Sequence, residues 1–176
     1  MKHTLVALME DRPGVLTRVV SLFRRRNFNI ESLAVGHTET PGISRMTLVV
    51  EGSASTVEQV TKQLYKLINV RKVSDVSEDP TVDRELALIR VSAKPASRTE
   101  IVQIANIFRA NVVDVAPNSL MIEAVGTENK IESLITMLRS YGIKEMVRTG
   151  KVSMVRGTAA VSKELGNGAS PNGNKV

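Results

Sequence analysis

Apolar residues along this chain switch between two periods, and the switches come in an order that repeats. Residues 3–9 (HTLVALM) are short, apolar and followed by polar turn residues, which predicts a buried strand. Residues 10–14 (EDRPG) break it. From there Val15, Leu16, Val19, Val20 and Phe23 recur at helical spacing, with Pro13 and Gly14 at the start, where a missing N–H or a close approach is tolerated. The helix is expected to end near Arg26 and Asn27. Residues 29–38 and 43–51, separated by Pro41-Gly42, predict a β-hairpin. In its second arm Met46, Leu48 and Val50 alternate with Arg45, Thr47 and Val49, which gives one clearly apolar face. Ser55-x-x-Glu58 has the spacing of a capping box ahead of a helix carrying Val57, Val60, Leu64, Leu67 and Ile68. Residues 70–76 supply a closing strand, and Ser77-Glu78-Asp79-Pro80 reads as a linker.

The pattern then starts again. Residues 84–91 read as a strand. Ser97-x-x-Glu100 repeats the capping-box spacing before Ile101, Ile104, Ala105 and Phe108 mark a helix. Residues 111–115 and 119–125 form a hairpin around Pro117-Asn118, Thr127 can cap a helix carrying Ile131, Leu134, Ile135 and Leu138, and residues 143–148 close as a strand. The expected fold is α+β: two consecutive ferredoxin-like βαββαβ domains, residues 1–78 and 79–161, each an antiparallel sheet with helices on one face. Residues 162–176, rich in Gly, Asn, Ser and Pro, hold too little apolar content to pack and are expected to be a disordered tail. Each sheet of this order leaves an edge unpaired, which invites a second copy. Edges joined side by side across a twofold axis would bring helix starts of one copy near hairpin strands of the other.

Composition removes several function classes. The chain has 176 residues, no cysteine and two histidines, His3 and His37. Disulfides, Cys-based zinc sites, iron–sulfur clusters and thiol nucleophiles are excluded, and His-based acid/base chemistry has little to draw on. No window approaches the roughly 18–20 apolar residues of a membrane span, and no leader segment precedes the first strand, so a cytoplasmic protein is expected. The net charge of +6 raises nucleic acid as a partner, but the excess is spread. Residues 1–78 hold 11 basic against 8 acidic side chains, residues 79–161 hold 11 against 9, and the tail 2 against 1. The one basic run, Arg24 to Arg26, suits a solvated helix C-terminus. RNA-binding sheets of the same order present aromatics on their middle strands. Here Phe23, Tyr65, Phe108 and Tyr141 fall on predicted helices or their ends, which disfavours RNA. Nucleophile-elbow, phosphate-loop and dinucleotide signatures are silent, and no nucleophile and base can be named together for an enzyme.

The stretch Asp11-Arg12-Pro13-Gly14-Val15-Leu16 carries the most chemistry. At a helix start the backbone N–H groups of Gly14, Val15 and Leu16 can receive a carboxylate, and Gly14, lacking Cβ, allows close approach. Asp11 can meet an ammonium. One short loop thus offers both charge complements of a free α-amino acid, although an ordinary Pro/Gly helix start has the same spacing.

The run DRPGVL after a first strand, followed by NIESLAVG, resembles the ACT-domain family of small-molecule regulatory modules. Together with SRMTLVVEG, the second βαββαβ half and the length, it is similar to the small, regulatory subunits of acetohydroxyacid synthase (acetolactate synthase) over roughly residues 1–160. The resemblance implies a non-catalytic subunit that binds the large catalytic subunit, raises its activity and confers feedback inhibition by valine or another branched-chain amino acid. It also implies a homodimer in which the ACT domains pair edge to edge with effector at the seam. Carried over by position, Asp11, Gly14, Val15 and Leu16 come from one copy and Asn29 and Ile30 from the facing copy. Asn29 fits, because its amide both donates and accepts. An apolar pocket for the effector would draw on Val15, Leu16, Ile30 and Val35. One methylene there is worth only about 1–3 kcal/mol, so valine, leucine and isoleucine are not separated by the sequence. No cofactor or metal is expected in this chain; thiamine diphosphate, Mg²⁺ and FAD belong to the catalytic partner. A stand-alone amino-acid-binding ACT protein of another pathway is the alternative, with an RNA-binding module behind it.

Overall fold

Alternation in β1 (Lys2–Glu10) points Leu5, Ala7 and Met9 to one side, and its antiparallel register with the strand Ile43–Glu51 sets Leu5 opposite Leu48 and Ala7 opposite Met46. In the computed structural model, which describes residues 1–25 and 27–157, these residues are buried beneath two helices. α1 (Val15–Arg25) contributes Val15, Val19, Leu22 and Phe23; α2 (Ala54–Tyr65) contributes Val57, Val60 and Leu64. With β2 (Ile30–His37), β3 (Ile43–Glu51) and β4 (Val70–Asp75) the first sheet runs β2-β3-β1-β4. The second unit repeats it. β5 (Thr81–Ser92), α3 (Pro95–Ile107), β6 (Asn111–Ala116), β7 (Ser119–Gly126), α4 (Glu128–Leu138) and β8 (Ile143–Arg148) build a sheet of order β6-β7-β5-β8. Its core packs Ala87, Ile89, Leu120 and Ile122 beneath Ile101, Ile104, Ile131 and Leu134. A fully buried Leu or Ile is worth about 1.5–3 kcal/mol and a net hydrogen bond about 1 kcal/mol, so these layers hold each unit together.

The two halves share details that their sequences do not advertise. α1 ends with Asn27 at φ 56°, its amide bonded to the Arg24 carbonyl at 3.1 Å and the Phe28 amide to the Phe23 carbonyl at 3.1 Å. This is a Schellman motif, completed by the edge-to-face contact of Phe23 and Phe28 at 6.3 Å. α3 ends the same way: Arg109 stands at φ 51°, and the Ala110 amide reaches the Ala105 carbonyl at 2.8 Å. Register shifts also correspond, at Ile30/Ser32 and Val112/Asp114 on the outer strands and at Leu8/Met9 and Arg90/Val91 on the central ones.

Three local expectations are corrected. α2 is capped by Ser53, whose Oγ accepts from the Thr56 amide at 3.3 Å; Ser55 lies inside the helix, and Glu58 pairs with Lys62 at 2.6 Å. α3 starts with Pro95 behind Lys94, and Ser97 donates to the Lys94 carbonyl at 3.2 Å instead of capping. Proline's preset φ suits the first helical position and fixes the start three residues early, with Lys94 and not Ser97 at the cap. Thr127 does cap α4, accepting from the Lys130 amide at 3.5 Å. The third correction concerns β3, which is buried on both faces: Thr47 is 3% and Val49 5% exposed, beside Val6 at 7%.

Their cover is a strand absent from the sequence reading, β9 (Val152–Val155), which pairs antiparallel with Thr81 to Arg84 of β5. This ribbon docks on the helix-free face of the first sheet. The Arg45 Nη2 donates to the Ser153 carbonyl at 2.7 Å, and the Lys151 amide donates to the Ser32 Oγ at 2.9 Å. Lys2 on β1 meets Glu31 at 2.9 Å and Glu128 of α4 at 3.0 Å. The expected tail lies outside the described residues.

Gly150 makes that docking close. Its φ is +80°, and a Cβ there would stand 2.8 Å from the Ser32 Oγ and 3.1 Å from the Leu33 carbonyl oxygen. Gly42, at φ +77°, faces open space. Gly42→Ala should therefore cost only the left-handed backbone penalty, about 1–2 kcal/mol. Gly150→Ala should cost more by urea denaturation and should speed amide exchange at Lys151; equal costs would show that the ribbon does not bear on β2.

Within the ribbon Asp83 accepts from the Ser153 Oγ at 2.6 Å and lies 3.5 Å from the Lys151 Nζ. Partial burial disfavours its charge, but the bonds from Ser153, Thr81 and Lys151 and the lysine's charge outweigh burial and hold the carboxyl below its ordinary value. A depressed folded pKa gives stability that is full above the unfolded value near pH 4, about 3.9 for Asp, and is lost as pH falls through the folded one. The stability lead of the native chain over Asp83→Asn, measured by denaturation, should hold down to about pH 5 and shrink as pH falls further, through the unfolded value of about 3.9 and on through the lower folded one. A lead independent of pH would contradict this.

Candidate functional site

The helix start singled out in the sequence is held by its neighbours on both sides. β1 ends at Glu10, whose amide donates to the Asn69 carbonyl at 2.9 Å and whose carboxylate accepts from the Asn69 Nδ2 at 3.0 Å. The Asn69 bond, with the charges of Arg12 and Arg71 behind it, draws the Glu10 pKa below its usual range. The next amide, Asp11, donates to the Gly42 carbonyl at 2.8 Å, so the loop is pinned to the β2–β3 turn. Gly14 then takes φ +85°, a conformation open to glycine, and its carbonyl accepts the first helical bond, from the Arg18 amide at 3.0 Å. Space at Gly14 is open, with no atom within 4 Å of where a Cβ would stand.

Not every predicted donor is offered to a ligand. The Val15 amide donates to the Arg12 carbonyl at 3.3 Å, and the Val15 side chain is core, 4% exposed. The tight turn into the helix thus engages that amide within the chain. The amide of Leu16 lies in the first turn, where the helix itself supplies no acceptor, and the Leu16 side chain is 42% exposed. Asp11 is exposed, and its carboxylate stands 3.3 Å from the Nδ1 of His37 at the end of β2. That partner was missed because nothing local in the sequence joins residues 11 and 37; only the hairpin register does. The other histidine is also paired: the His3 Nδ1 lies 3.5 Å from Asp75 and 3.4 Å from the Ser77 Oγ at the linker.

Asn29 and Ile30 sit elsewhere. Asn29 is exposed just before β2, and Ile30 packs partly against the first core. Asp11 adjoins His37 at the far end of the same strand. Eight residues of extended chain at about 3.3 Å each separate Asn29 from His37 by roughly 26 Å. One chain therefore does not bring Asp11, Gly14 and Leu16 together with Asn29. Between the two groups runs the outer edge of β2, whose partner in the sheet is β3 alone. Val35 on that strand is 44% exposed.

Among the described residues no group of three or more His, Cys, Asp and Glu could hold a metal ion, and no helix is long and apolar enough to cross a membrane.

Comparison with known proteins covers both units. Residues 5–72 match the family described as AHAS small subunit-like ACT domain, and residues 84–157 match the small subunit of acetolactate synthase. The chain is 59% identical over 157 residues to a probable acetolactate synthase small subunit of Archaeoglobus fulgidus, covering 89% of this chain and 98% of that one. It is 52% identical over 159 residues to the acetolactate synthase small subunit of Mycobacterium bovis, covering 90% and 95%. Among solved structures, the acetolactate synthase small subunit from Thermotoga maritima superposes with a TM-score of 0.83 at 41% identity, over 89% of this chain and 98% of that one. With both βαββαβ units matched and relatives covered almost end to end, the chain belongs to the acetolactate synthase small-subunit family, and its first unit is an ACT domain.

Proposed function

We propose that this chain is the valine-sensing regulatory subunit of acetolactate synthase: it activates the large, catalytic subunit and transmits feedback inhibition from an effector bound where two ACT domains meet. The observation that supports the reading is that Asn29 and the Asp11–His37 pair stand at opposite ends of β2, an edge strand whose partner in the sheet is β3 alone. If two β2 edges pair antiparallel about a twofold axis, the Asn29 end of each copy comes opposite the Asp11–His37 end of the other. Both half-sites are then completed, twice per dimer. The Gly14 and Leu16 amides would face the effector carboxylate, Asp11 its ammonium, and the Asn29 carboxamide either group.

In this reading residues 1–78 dimerise and bind effector, and residues 79–161 form the second unit. The subunit performs no chemistry of its own and works beside its catalytic partner in the cytoplasm. An ammonium arriving at Asp11 would share its carboxylate with the His37 ring, 3.3 Å away.

Calorimetry of the purified protein should give one valine per chain, two per dimer. Asn29→Ala should weaken valine at least tenfold, remain dimeric by light scattering, and still raise the rate of the large subunit while its valine inhibition is lost. Full-strength valine binding by Asn29→Ala would remove that residue from the site. Val35→Lys places a charge on the exposed edge, a substitution that discourages strand pairing. It should yield a folded monomer that binds no valine; a dimer with unchanged binding would refute the seam.

A further inference from the structure

Behind β2, on the face of the sheet away from the helices, the docked ribbon stands off and leaves a cleft of about 730 Å³. That volume is within the range of small-molecule sites, about 300–1,000 Å³. Ala34 and Thr47 form one wall, Val82, Val152 and Met154 the other. Val152 and Met154, large and apolar, are 50% and 64% exposed. Three arginines, Arg45, Arg84 and Arg156, line this apolar space, together with His37. None of the described residues that line it is acidic.

Arg45 is the telling one. Its Nη2 donates to the Ser153 carbonyl at 2.7 Å, and no described carboxylate lies within ion-pairing distance of it. Burial pushes the Arg45 pKa below the usual arginine value, with the more distant Glu39 only partly offsetting this. A guanidinium has five N–H donors, so the bond to Ser153 leaves most of its donor capacity unused. A half-buried cation without a carboxylate, against an apolar wall, is an unfavourable arrangement that an incoming anion would relieve.

We infer that this cleft is a second ligand site, distinct from the valine seam, for a small amphipathic anion: a carboxylate or phosphate on an apolar body. The acid-free lining sets the ligand class. A free amino acid brings an ammonium that finds no carboxylate here, so the cleft selects against the zwitterion that Asp11 suits. A second copy of the chain is a poor occupant, because it would bring the same arginines toward their own kind. The apolar body would lie along Val82, Val152 and Met154, with the acid on Arg45 and Arg84. His37 borders the cleft and also meets Asp11, which gives the two sites a shared side chain.

The test uses three probes of one carbon skeleton, 4-methylpentanoate, leucine and 3-methylbutylamine, with phenyl phosphate as the phosphate arm. Titrations of the full chain are read by calorimetry and by methyl NMR of Ala34, Val82 and Val152. Saturable binding of 4-methylpentanoate or of phenyl phosphate is expected, shifting those methyls, and whichever binds more tightly identifies the acid. Leucine and 3-methylbutylamine should leave the same methyls unmoved. Arg45→Met should weaken the anion at least tenfold, and Arg84→Gln, at an exposed side chain outside the core, several-fold. Valine binding at the seam should persist in both variants, which separates failure here from failure of the seam. Equal shifts with the amine, unchanged affinity in both variants, or loss of the dimer in Arg84→Gln, which would assign the cleft to a second copy, would each overturn the inference.

Discussion

A βαββαβ sheet carries its helices on one face, so the other must be wetted, covered or given to a partner. In the first unit water is a poor answer, because β3 is buried on both sides: Met46, Leu48 and Val50 face the helices, and Thr47 and Val49 face away yet are buried. The chain covers that second face with its own ribbon, Thr81 to Arg84 paired with β9. This requirement joins the two repeats into one object. It also explains why the contacts between them are polar at the margins, Arg45 to Ser153 and Ser32 to Lys151, where the ribbon crosses strands whose backbone is already paired.

Where local chemistry decides, the sequence reads well. The bounds of β3 and β8 follow from Pro41-Gly42 and Gly142, turn residues that stop a strand whatever surrounds it. The Ser-x-x-Glu spacings mislead because a capping box is a local option that competes with neighbours. Ser53 caps α2 from two residues upstream, and Pro95 starts α3 on its own terms. β9 was illegible for a different reason. Four residues, Val152–Val155, become a strand only because a partner some seventy positions earlier lies alongside, and nothing within VSMV encodes that meeting.

The site divides along the same line. Gly14 reads correctly as a residue opening a helix, since Pro13-Gly14 before a periodic run has few other uses; its φ of +85° is the structure's addition. The loss of the Val15 amide to Arg12, and the approach of His37 to Asp11, depend on how the loop lies against the hairpin. No residue pattern reveals that. Nor does it reveal that Asn29 and Asp11 stand at opposite ends of β2, the fact that turns a list of ligand candidates into an argument for a symmetric pair.

β2 is accordingly the strand through which the regulatory reading must work. Its outer edge is open, its last residue meets Asp11, and near its start Glu31 meets Lys2 while Ser32 meets Lys151. Gly150 leaves no slack at that contact, since even a methyl group would overlap Ser32. In the proposed reading a shift of β2 on pairing or on ligand binding would bear on the ribbon through this contact. Allosteric coupling is typically about 1–3 kcal/mol, and a net hydrogen bond about 1 kcal/mol. The Lys151–Ser32 bond on β2 and the Arg45–Ser153 bond on β3 join ribbon to sheet, and in the proposed reading two bonds of this size match such a coupling.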